Sequence, residues 1–190
     1  MHRAPTATRR DGFVTRRLLL SLGVALATLV PVVIVPVYGD QIYLALTGIT
    51  GEATTKGYEK TIAVGSMQWG AGRGISWAGG AGSPSLSNVS VSEVTTTKST
   101  DSTSAFLFER LTLGTVTATA KFTIVTDAGL KRLEVELGNA YLSGFSQSAG
   151  AGGVPSESFS LNFQTIKVTP YNAAGTAGTP KTWNLPGNTP

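Results

Sequence analysis

Few residues of this chain have the chemistry that catalysis or metal binding requires. The 190 residues contain no cysteine, and the single histidine, His2, lies close to the N-terminus. Beyond residue 39 there is neither a thiol nor an imidazole. This excludes a Ser-His-Asp triad, a cysteine nucleophile, haem ligation by histidine, a zinc finger and a disulfide framework. We expect no catalytic residue, no metal site and no cofactor in this part of the chain.

Paired carboxylates are the remaining route to hydrolytic chemistry, because two of them can cleave a glycosidic bond. The nearest pair is Glu134 and Glu136. Both alternate with apolar residues, so they lie on the outward face of a predicted strand, where a solvated surface role is the default. The chain also lacks the G-x-S-x-G turn that presents a serine nucleophile. A hydrolase is therefore the weakest of three functional hypotheses.

A glycine-rich segment covers residues 65–84, with the sequence GSMQWGAGRGISWAGGAGSP. It lacks the GK[ST] ending of a phosphate-binding loop and a helix after it. The composition predicts a flexible loop between two strands, with its backbone exposed. Trp69 and Trp77 have side chains that stack on sugars or bases, but packing in a core or an interface is their commoner role.

The positive charge of the protein is confined to its N-terminus. Residues 1–39 hold five arginines and one acid, which accounts for the formal net charge of +4. Residues 40–190 hold ten basic and ten acidic side chains and are therefore neutral. A neutral body lacks the basic surface that nucleic-acid binding requires, so we expect no nucleic-acid partner.

The first 39 residues are organised like an export signal. A basic segment, residues 1–17, precedes the uncharged run 18–35 (LLLSLGVALATLVPVVIV), and this order is typical of a signal peptide. Cleavage is expected near Asp40, or earlier after residue 27. The alternative is an uncleaved transmembrane anchor, since 18 apolar residues just reach spanning length. Pro31 and Pro36 would interrupt such a helix.

Arg16 and Arg17 stand in the sequence TRRLLL and resemble a twin-arginine export signal. Ser21 replaces the lysine usual in that signal, so the ordinary secretion route for unfolded chains stays open. No cysteine follows any cleavage point, which excludes a lipoprotein anchor. The sequence predicts a signal peptide over 1–39, a single domain over 40–190, a periplasmic or extracellular location and no membrane attachment after cleavage.

Alternating patterns indicate strands in the body of the chain. Residues 115–124 (TVTATAKFTI) place apolar residues at every second position, as in a half-buried antiparallel strand. A turn at 127–129 and a second alternating run at 133–137 predict a hairpin. The Gly/Ser/Ala-rich residues 143–157 predict a loop. One-residue shifts of apolar phase predict β-bulges near Ser92-Glu93 and Gln164-Thr165.

Residues 99–114 are the one stretch with a helical pattern. Residues 99–101 offer N-cap oxygens, Gly114 stands where a C-cap belongs, and Glu109 and Arg110 are expected to face outward. About six to eight strands with one short helix indicate a mainly β small barrel or sandwich. The expected apolar stripe of the helix comprises Ala105, Phe106, Leu107, Phe108, Leu111 and Leu113.

Several short segments of the body follow one another in a distinctive order. They are a strand and glycine turn at 40–52, a Lys/Glu loop and Trp-bearing strand at 58–70, a Gly-rich loop at 70–82, a Lys-x-x-Asp-x-Thr helix start at 98–103, a strand at 159–168 and a closing Trp183-Asn184. In this order and spacing, residues 40–185 resemble the Hcp family, the tube protein of bacterial type VI secretion.

The resemblance implies a small antiparallel β-barrel with one flanking α-helix, and six-fold rings that stack into a hollow tube. It implies no catalytic residues. Members that build the secretion machine normally carry no export signal, so the leader departs from the family pattern. The glycine-rich loop is the natural candidate for meeting the next ring, through Gly70, Gly72, Arg73, Gly74, Trp77, Gly79 and Gly80.

The leading hypothesis is an exported, non-enzymatic structural protein that assembles with copies of itself into hexameric rings and tubes. A secreted effector or an envelope protein is a further candidate partner. The runner-up is a monomeric exported β-domain that binds a glycan or an envelope partner through Trp69, Trp77 and the Gly-rich loops.

Overall fold

The computed structural model describes residues 39–77 and 82–190, and the predicted export signal, with Arg16 and Arg17, lies outside them. These residues contain eleven strands and one helix, α1 (Ser104–Leu113), between the sixth and seventh strands. The strands are β1 (Gln41–Leu46), β2 (Ile62–Val64), β3 (Ser66–Gln68), β4 (Ala71–Ser76), β5 (Ser85–Val91), β6 (Val94–Ser99), β7 (Thr117–Val125), β8 (Lys131–Ser148), β9 (Ser156–Asn162), β10 (Thr165–Pro170) and β11 (Lys181–Asn184).

Nine strands form one antiparallel sheet in the order β2-β1-β7-β8-β9-β6-β3, to which β10 and β11 are added beside β8. The 18-residue strand β8 organises this sheet. Its first half pairs with β7 and β10, and its second half pairs with β9. The strands β4 and β5 pair only with each other, as a separate hairpin. The predicted mainly β fold with one helix is confirmed.

The predicted barrel is not closed by hydrogen bonding. The two ends of the strand order, β2 and β3, are successive segments of the chain with only Gly65 between them. Since one residue is too short for the turn of a hairpin, β2 and β3 form no ladder with each other, and the sheet keeps a seam at this point. The Gly65 amide donates to the Thr97 carbonyl of β6 at 2.7 Å. The expectation of a closed barrel is therefore wrong, although the chain itself joins the two ends.

The core lies on the inner face of the curved sheet. Leu44 on β1, Phe122 on β7 and Val135 on β8 are in register across the three strands, and all three are fully buried. They follow the alternation that the sequence shows, because every second side chain of a strand points to the same face. Other fully buried apolar residues of this cluster are Ile62, Val94, Leu107, Ala120, Leu137, Ala140 and Leu161.

The predicted loop at 143–157 is mostly strand. β8 continues to Ser148 and β9 begins at Ser156, so only residues 149–155 connect them. The Ser146 and Ser158 hydroxyls, one on each strand, lie 2.9 Å apart. Gly and Ser have low strand propensity, but pairing with a neighbouring strand overrides it. The loop prediction failed for this reason.

Neither predicted bulge is observed as such. The strand is interrupted at residues 163–164, between β9 and β10, because β9 pairs with the second half of β8 and β10 with its first half. A second interruption lies at residues 92–93, between β5 and β6, which also have different partners. The shifts of apolar phase therefore mark changes of pairing partner. Register shifts occur elsewhere, for example between Leu142 and Gly144.

The helix ends at Gly114 as predicted, but its N-cap is Thr103, which forms no side-chain cap, and not one of the predicted residues 99–101. Gly114 has φ 61°, the left-handed conformation that glycine adopts without strain, and its amide donates to the carbonyls of the last turn. At the other end, Asp101 accepts a hydrogen bond from the Thr103 amide at 2.8 Å. In residues 39–77 and 82–190 no helix combines the length and apolar character needed to cross a membrane.

Candidate functional site

The glycine-rich segment predicted to be a flexible loop contains two strands, β3 and β4, and β4 forms a hairpin with the following strand β5. In β4 and β5, Arg73 is paired with Val89 and Ile75 with Leu86. Side chains of directly opposed residues share one face of a ladder. The ladder shifts register between Arg73 and Ile75, with the extra residue on β5. Arg73 and Ile75 are two residues apart on β4, so their side chains lie on the same face, which Ile75 shares with Leu86.

Glycine permits close side-chain contacts within this hairpin. The Gly74 amide donates to the Ser87 hydroxyl at 2.8 Å. A Cβ atom added to Gly74 would lie 3.1 Å from the same oxygen, closer than ordinary van der Waals contact. Gly74 thus has a packing role that the prediction of a flexible loop did not include, whereas a Cβ at Gly72 would meet nothing within 4 Å.

The predicted loop residues are distributed along this hairpin. Gly70 lies at its base, Gly72, Arg73 and Gly74 lie in β4, and Trp77 follows the end of β4. Gly79 and Gly80 lie outside the described residues. The described residues of the set thus belong to one structural element.

The apolar residues of the hairpin are left in solvent. Ile75 is 58% exposed, Trp77 72% and Leu86 54%. We call Arg73, Ile75, Trp77 and Leu86 the hairpin face. Trp69, by contrast, is partly buried and packs against the core. Of the two tryptophans that the sequence singles out, only Trp77 is available to a partner.

Hydrogen bonds join the two strands of the hairpin at its base, and one bond links β5 to the C-terminal segment. Gly70 and Ser92 form two hydrogen bonds of 2.8 Å, and the Val89 amide donates to Asn188 Oδ1 at 3.1 Å. A groove of about 270 Å³ with apolar walls lies between Val89 and Trp183. The exposed end of the hairpin therefore extends from a base that meets the body at this bond and along the walls of the groove.

The helix also leaves large apolar side chains uncovered. Leu107 is fully buried, but Phe106 is 55% exposed and Leu113 69%. The prediction of an inward apolar stripe is therefore wrong for Ala105, Phe106, Phe108 and Leu113, because a helix on one face of a sheet can bury only a narrow stripe. We call Phe106, Glu109 and Leu113 the helix flank, since spacings of three and four residues bring side chains together on a helix.

Arg110 was expected to face outward, and its guanidinium instead turns towards the body. It donates to the carbonyls of Thr47 and Val116, each at 3.3 Å. These bonds tie the last turn of α1 to the chain segments beside it. Glu109, its neighbour, is exposed as predicted.

A buried charged cluster lies at the start of the helix. Lys98 Nζ lies 2.7 Å from Glu157 Oε1 and 2.8 Å from Asp101 Oδ1, and the side chains of Lys98 and Glu157 are 0% exposed. The Ser104 hydroxyl donates to Glu157 Oε1 at 2.9 Å. We call Lys98, Asp101, Ser104 and Glu157 the Lys98 cluster. It joins β6, β9 and α1.

The charges of the Lys98 cluster satisfy one another. Burial disfavours ionisation of Asp101, but hydrogen bonds from Lys98 and Thr103 outweigh it and hold the pKa of the Asp101 carboxyl below its usual value. Because the ammonium group and both carboxylates are engaged, the cluster stabilises the fold and offers no free acid or base.

Sequence reasoning missed most of this cluster. Lys98 and Asp101 appear in the Lys-x-x-Asp-x-Thr helix start, but Glu157 was assigned to a loop. The available signal was that Glu157 stands two residues before Phe159, in phase with the alternating residues Phe159 and Leu161. Continuing that alternation backwards would have placed Glu157 in the strand, on its buried side.

In the carboxylate pair Glu134 and Glu136, the first carboxylate is engaged by a neighbouring lysine. Glu134 accepts a 2.8 Å hydrogen bond from Lys131, and its side chain is only 14% exposed, so the prediction of a solvated position is wrong for it. The hydrogen bond to Glu134 raises the pKa of Lys131. Among the described residues no three acidic or imidazole side chains cluster as metal ligands.

A stacked pair of tyrosines covers the outer face of the sheet nearby. The rings of Tyr43 and Tyr58 lie 4.6 Å apart with planes 6° from parallel. Tyr43 donates to the Thr55 hydroxyl at 2.7 Å, and burial raises the pKa of Tyr58. The stack fixes the connection between β1 and β2 on the sheet.

Comparison with known proteins identifies the fold. Residues 43–169 match the family described as "Type VI secretion system effector, Hcp". No curated protein sequence matches the chain.

Similar solved structures have the same architecture. A protein described as a type six secretion system protein is 24% identical, with a TM-score of 0.71 over 80% of this chain and 99% of its own. Hcp1 from Salmonella typhimurium is 21% identical, with a TM-score of 0.69 and the same coverage. A type VI secretion system effector from Yersinia pestis is 15% identical, with a TM-score of 0.64 over 76% of this chain and 99% of its own. With two thirds of its length matched by the family model, the chain belongs to the Hcp family.

Proposed function

We propose that this protein is an exported structural subunit that assembles into hexameric rings, which stack into a tube. The observation that carries the proposal is the hairpin face, a set of large apolar side chains exposed to solvent at the end of the β4–β5 hairpin. Apolar patches of this kind mark interaction surfaces in soluble proteins. Membership of the Hcp family supports copies of the same chain as the partner.

The open sheet edges support the same conclusion. The short strands β2 and β3 and the strand β11 each stand at an end of the strand order. Unpaired strand edges invite pairing with another chain, and closed rings of identical subunits cover such edges. A ring would therefore cover strand edges that stay unpaired in the isolated chain.

The proposal assigns no catalysis to the protein. The buried and half-buried charges described above are paired with one another, in the Lys98 cluster and in the pair Lys131–Glu134. Residues 40–190 contain no histidine or cysteine. A passive subunit needs neither.

Export distinguishes this chain from the family members that build the secretion machine. We propose that residues 1–39 are a signal peptide containing Arg16 and Arg17, that residues 40–190 form the mature domain, and that it acts in the periplasm or outside the cell. Its partners are copies of itself and, as cargo or anchor, a secreted effector or an envelope protein. The glycine-rich hairpin, with Gly70, Gly72, Arg73, Gly74, Trp77, Gly79 and Gly80, meets the next ring.

The test is the assembly state of the processed chain. The full-length protein is produced in a bacterial host, and the processed form is purified for light scattering after size exclusion and for negative-stain microscopy. Six-fold rings are expected, free or stacked. A single copy at high concentration in both measurements would overturn the proposal.

The exposure of Trp77 favours a second candidate, a monomeric domain that binds a glycan. Exposed tryptophan is a common platform for sugar rings. Binding on a glycan array that is lost in Trp77→Ala, with the fold and a monomeric state unchanged, would select this function instead. Trp69→Phe, at a partly buried position, is the matched control.

A further inference from the structure

Two separate apolar surfaces of this chain each contain one charge, and the two charges are opposite. The hairpin face carries Arg73 among Ile75, Trp77 and Leu86, and the helix flank carries Glu109 between Phe106 and Leu113. Every one of these side chains is exposed.

The hairpin face is apolar apart from its arginine. Arg73 is the only charged residue between residues 70 and 92. Nearer the base, Val89 and Trp183 line the groove between the hairpin and the body. Beyond that groove, the same face continues to Ile75 and Leu86, which remain in solvent.

The helix flank has the complementary pattern. Phe106, Glu109 and Leu113 follow at spacings of three and four residues, which places them along one side of α1. Leu107 faces the core, and Arg110 is engaged with the carbonyls of Thr47 and Val116. Glu109 is therefore the one ionised side chain that α1 presents beside its apolar flank.

Both charges lack an intramolecular partner. In residues 39–77 and 82–190 the ion pairs involve Lys98 and Lys131 and neither Arg73 nor Glu109. A charge surrounded by apolar side chains sets the register of an interface and rejects wrong partners. Opposite charges at equivalent places on two apolar surfaces are the pattern expected of two surfaces that meet.

We propose that the hairpin face of one copy lies on the helix flank of a copy in the next ring, with Arg73 paired to Glu109. This inference rests on the proposed function and names the surfaces that stack the rings. The contact is head-to-tail, because two different surfaces of the chain take part. Each ring then offers one unused surface at each end, so the stack can lengthen.

Charge reversal tests the pairing. Arg73→Glu or Glu109→Arg alone brings two like charges together, and each is expected to weaken ring stacking by about tenfold or more while six-fold rings persist. The double variant restores opposite charges and is expected to restore tubes. Lys56→Glu, which reverses an exposed charge between β1 and β2, is the matched control and should leave stacking unchanged.

Cysteine cross-linking gives a second readout, because the natural chain has no cysteine. An Arg73→Cys chain is mixed with a Glu109→Cys chain and oxidised. A disulfide-linked pair is expected on a non-reducing gel. Arg73→Cys mixed with Asp127→Cys, at an exposed turn between β7 and β8, should give no such band.

The outcomes separate the two proposals. If the wild-type chain forms no rings, the proposed function fails and the pairing fails with it. If rings form but never stack, or if stacking survives both single reversals and no cross-link appears, the pairing of the hairpin face with the helix flank is wrong. The ring itself would then stand.

Discussion

Lys98 and Glu157 are in-register partners on β6 and β9, and their charged groups meet at 2.7 Å with both side chains fully buried. Burying two charges is costly, and their attraction compensates only when geometry and further hydrogen bonds are favourable. Ser104 and Asp101 supply those further bonds. The first turn of α1 is thereby fixed to the sheet.

Removing one partner of this pair should be strongly destabilising. Lys98→Met leaves the Glu157 carboxylate buried without its cation, which costs about 3–5 kcal/mol in such sites. Urea denaturation followed by circular dichroism measures the loss. The double variant Lys98→Met, Glu157→Leu should recover part of it, because the fully buried carboxylate is gone while the partly exposed Asp101 still lacks its cation.

The half-buried pair Lys131–Glu134 is the control. Its lysine side chain is 37% exposed, and exposed pairs contribute about 0–1 kcal/mol. Lys131→Met should therefore cost far less than Lys98→Met. Equal losses for the two variants would contradict the role given to the Lys98 cluster.

Asp101 should make the fold sensitive to acid. Its pKa is lower in the folded protein than in the unfolded chain, where the pKa of an aspartate is about 3.9. The stabilisation is complete well above that pH and is lost as the pH falls through the folded pKa. Urea midpoints between pH 6 and 2 should decline more steeply below about pH 4 in the wild type than in Asp101→Asn. Asp127→Asn, at an exposed turn, should follow the wild type.

Two phenylalanines should respond in opposite ways to truncation. Phe122 is fully buried between Leu44 and Val135, so Phe122→Ala should cost about 3–5 kcal/mol of folding free energy. Phe106 is largely exposed, so Phe106→Ala should leave the free energy of unfolding nearly unchanged and weaken ring stacking. Thermal unfolding and sedimentation of the same two variants distinguish the effects. A Phe106→Ala protein that stacks normally would speak against the helix flank as a contact.

The processed chain should begin at Asp40. Intact mass spectrometry of protein recovered from the periplasm or medium gives the cleavage point directly. A mass corresponding to all 190 residues in the membrane fraction would indicate an uncleaved anchor. Replacing Arg16 and Arg17 by lysine should block export only if the twin-arginine route is used.

The sequence predicts the fold class because alternation is strong where one side of a strand is buried. The hairpin of β7 and β8 and the C-cap at Gly114 were both foreseen from local patterns. Strands rich in Gly and Ser were not predicted, since these residues have low strand propensity and show no apolar alternation. The ends of β8 and β9 and the hairpin of β4 and β5 belong to this group.

The candidate surfaces were foreseen only in outline. Arg73 and Trp77 were singled out because they stand in a glycine-rich segment. The exposure of Phe106 and Leu113 was not foreseen, because periodicity alone does not say how wide the buried stripe of a helix is. The buried position of Glu157 likewise depends on β6, which lies some sixty residues earlier in the chain and becomes its neighbour only on folding.

The connection through Gly65 limits how far the two ends of the sheet, β2 and β3, can separate. Val64 and Ser66 are separated by one residue, so a fully extended chain lets them move apart by no more than about 7 Å. Loss of the hydrogen bond from Gly65 to Thr97 would loosen this edge without letting the sheet unroll. Curvature is thus built into covalent connectivity, and inserting a few flexible residues beside Gly65 should let the wall of the molecule flatten while every ladder stays intact.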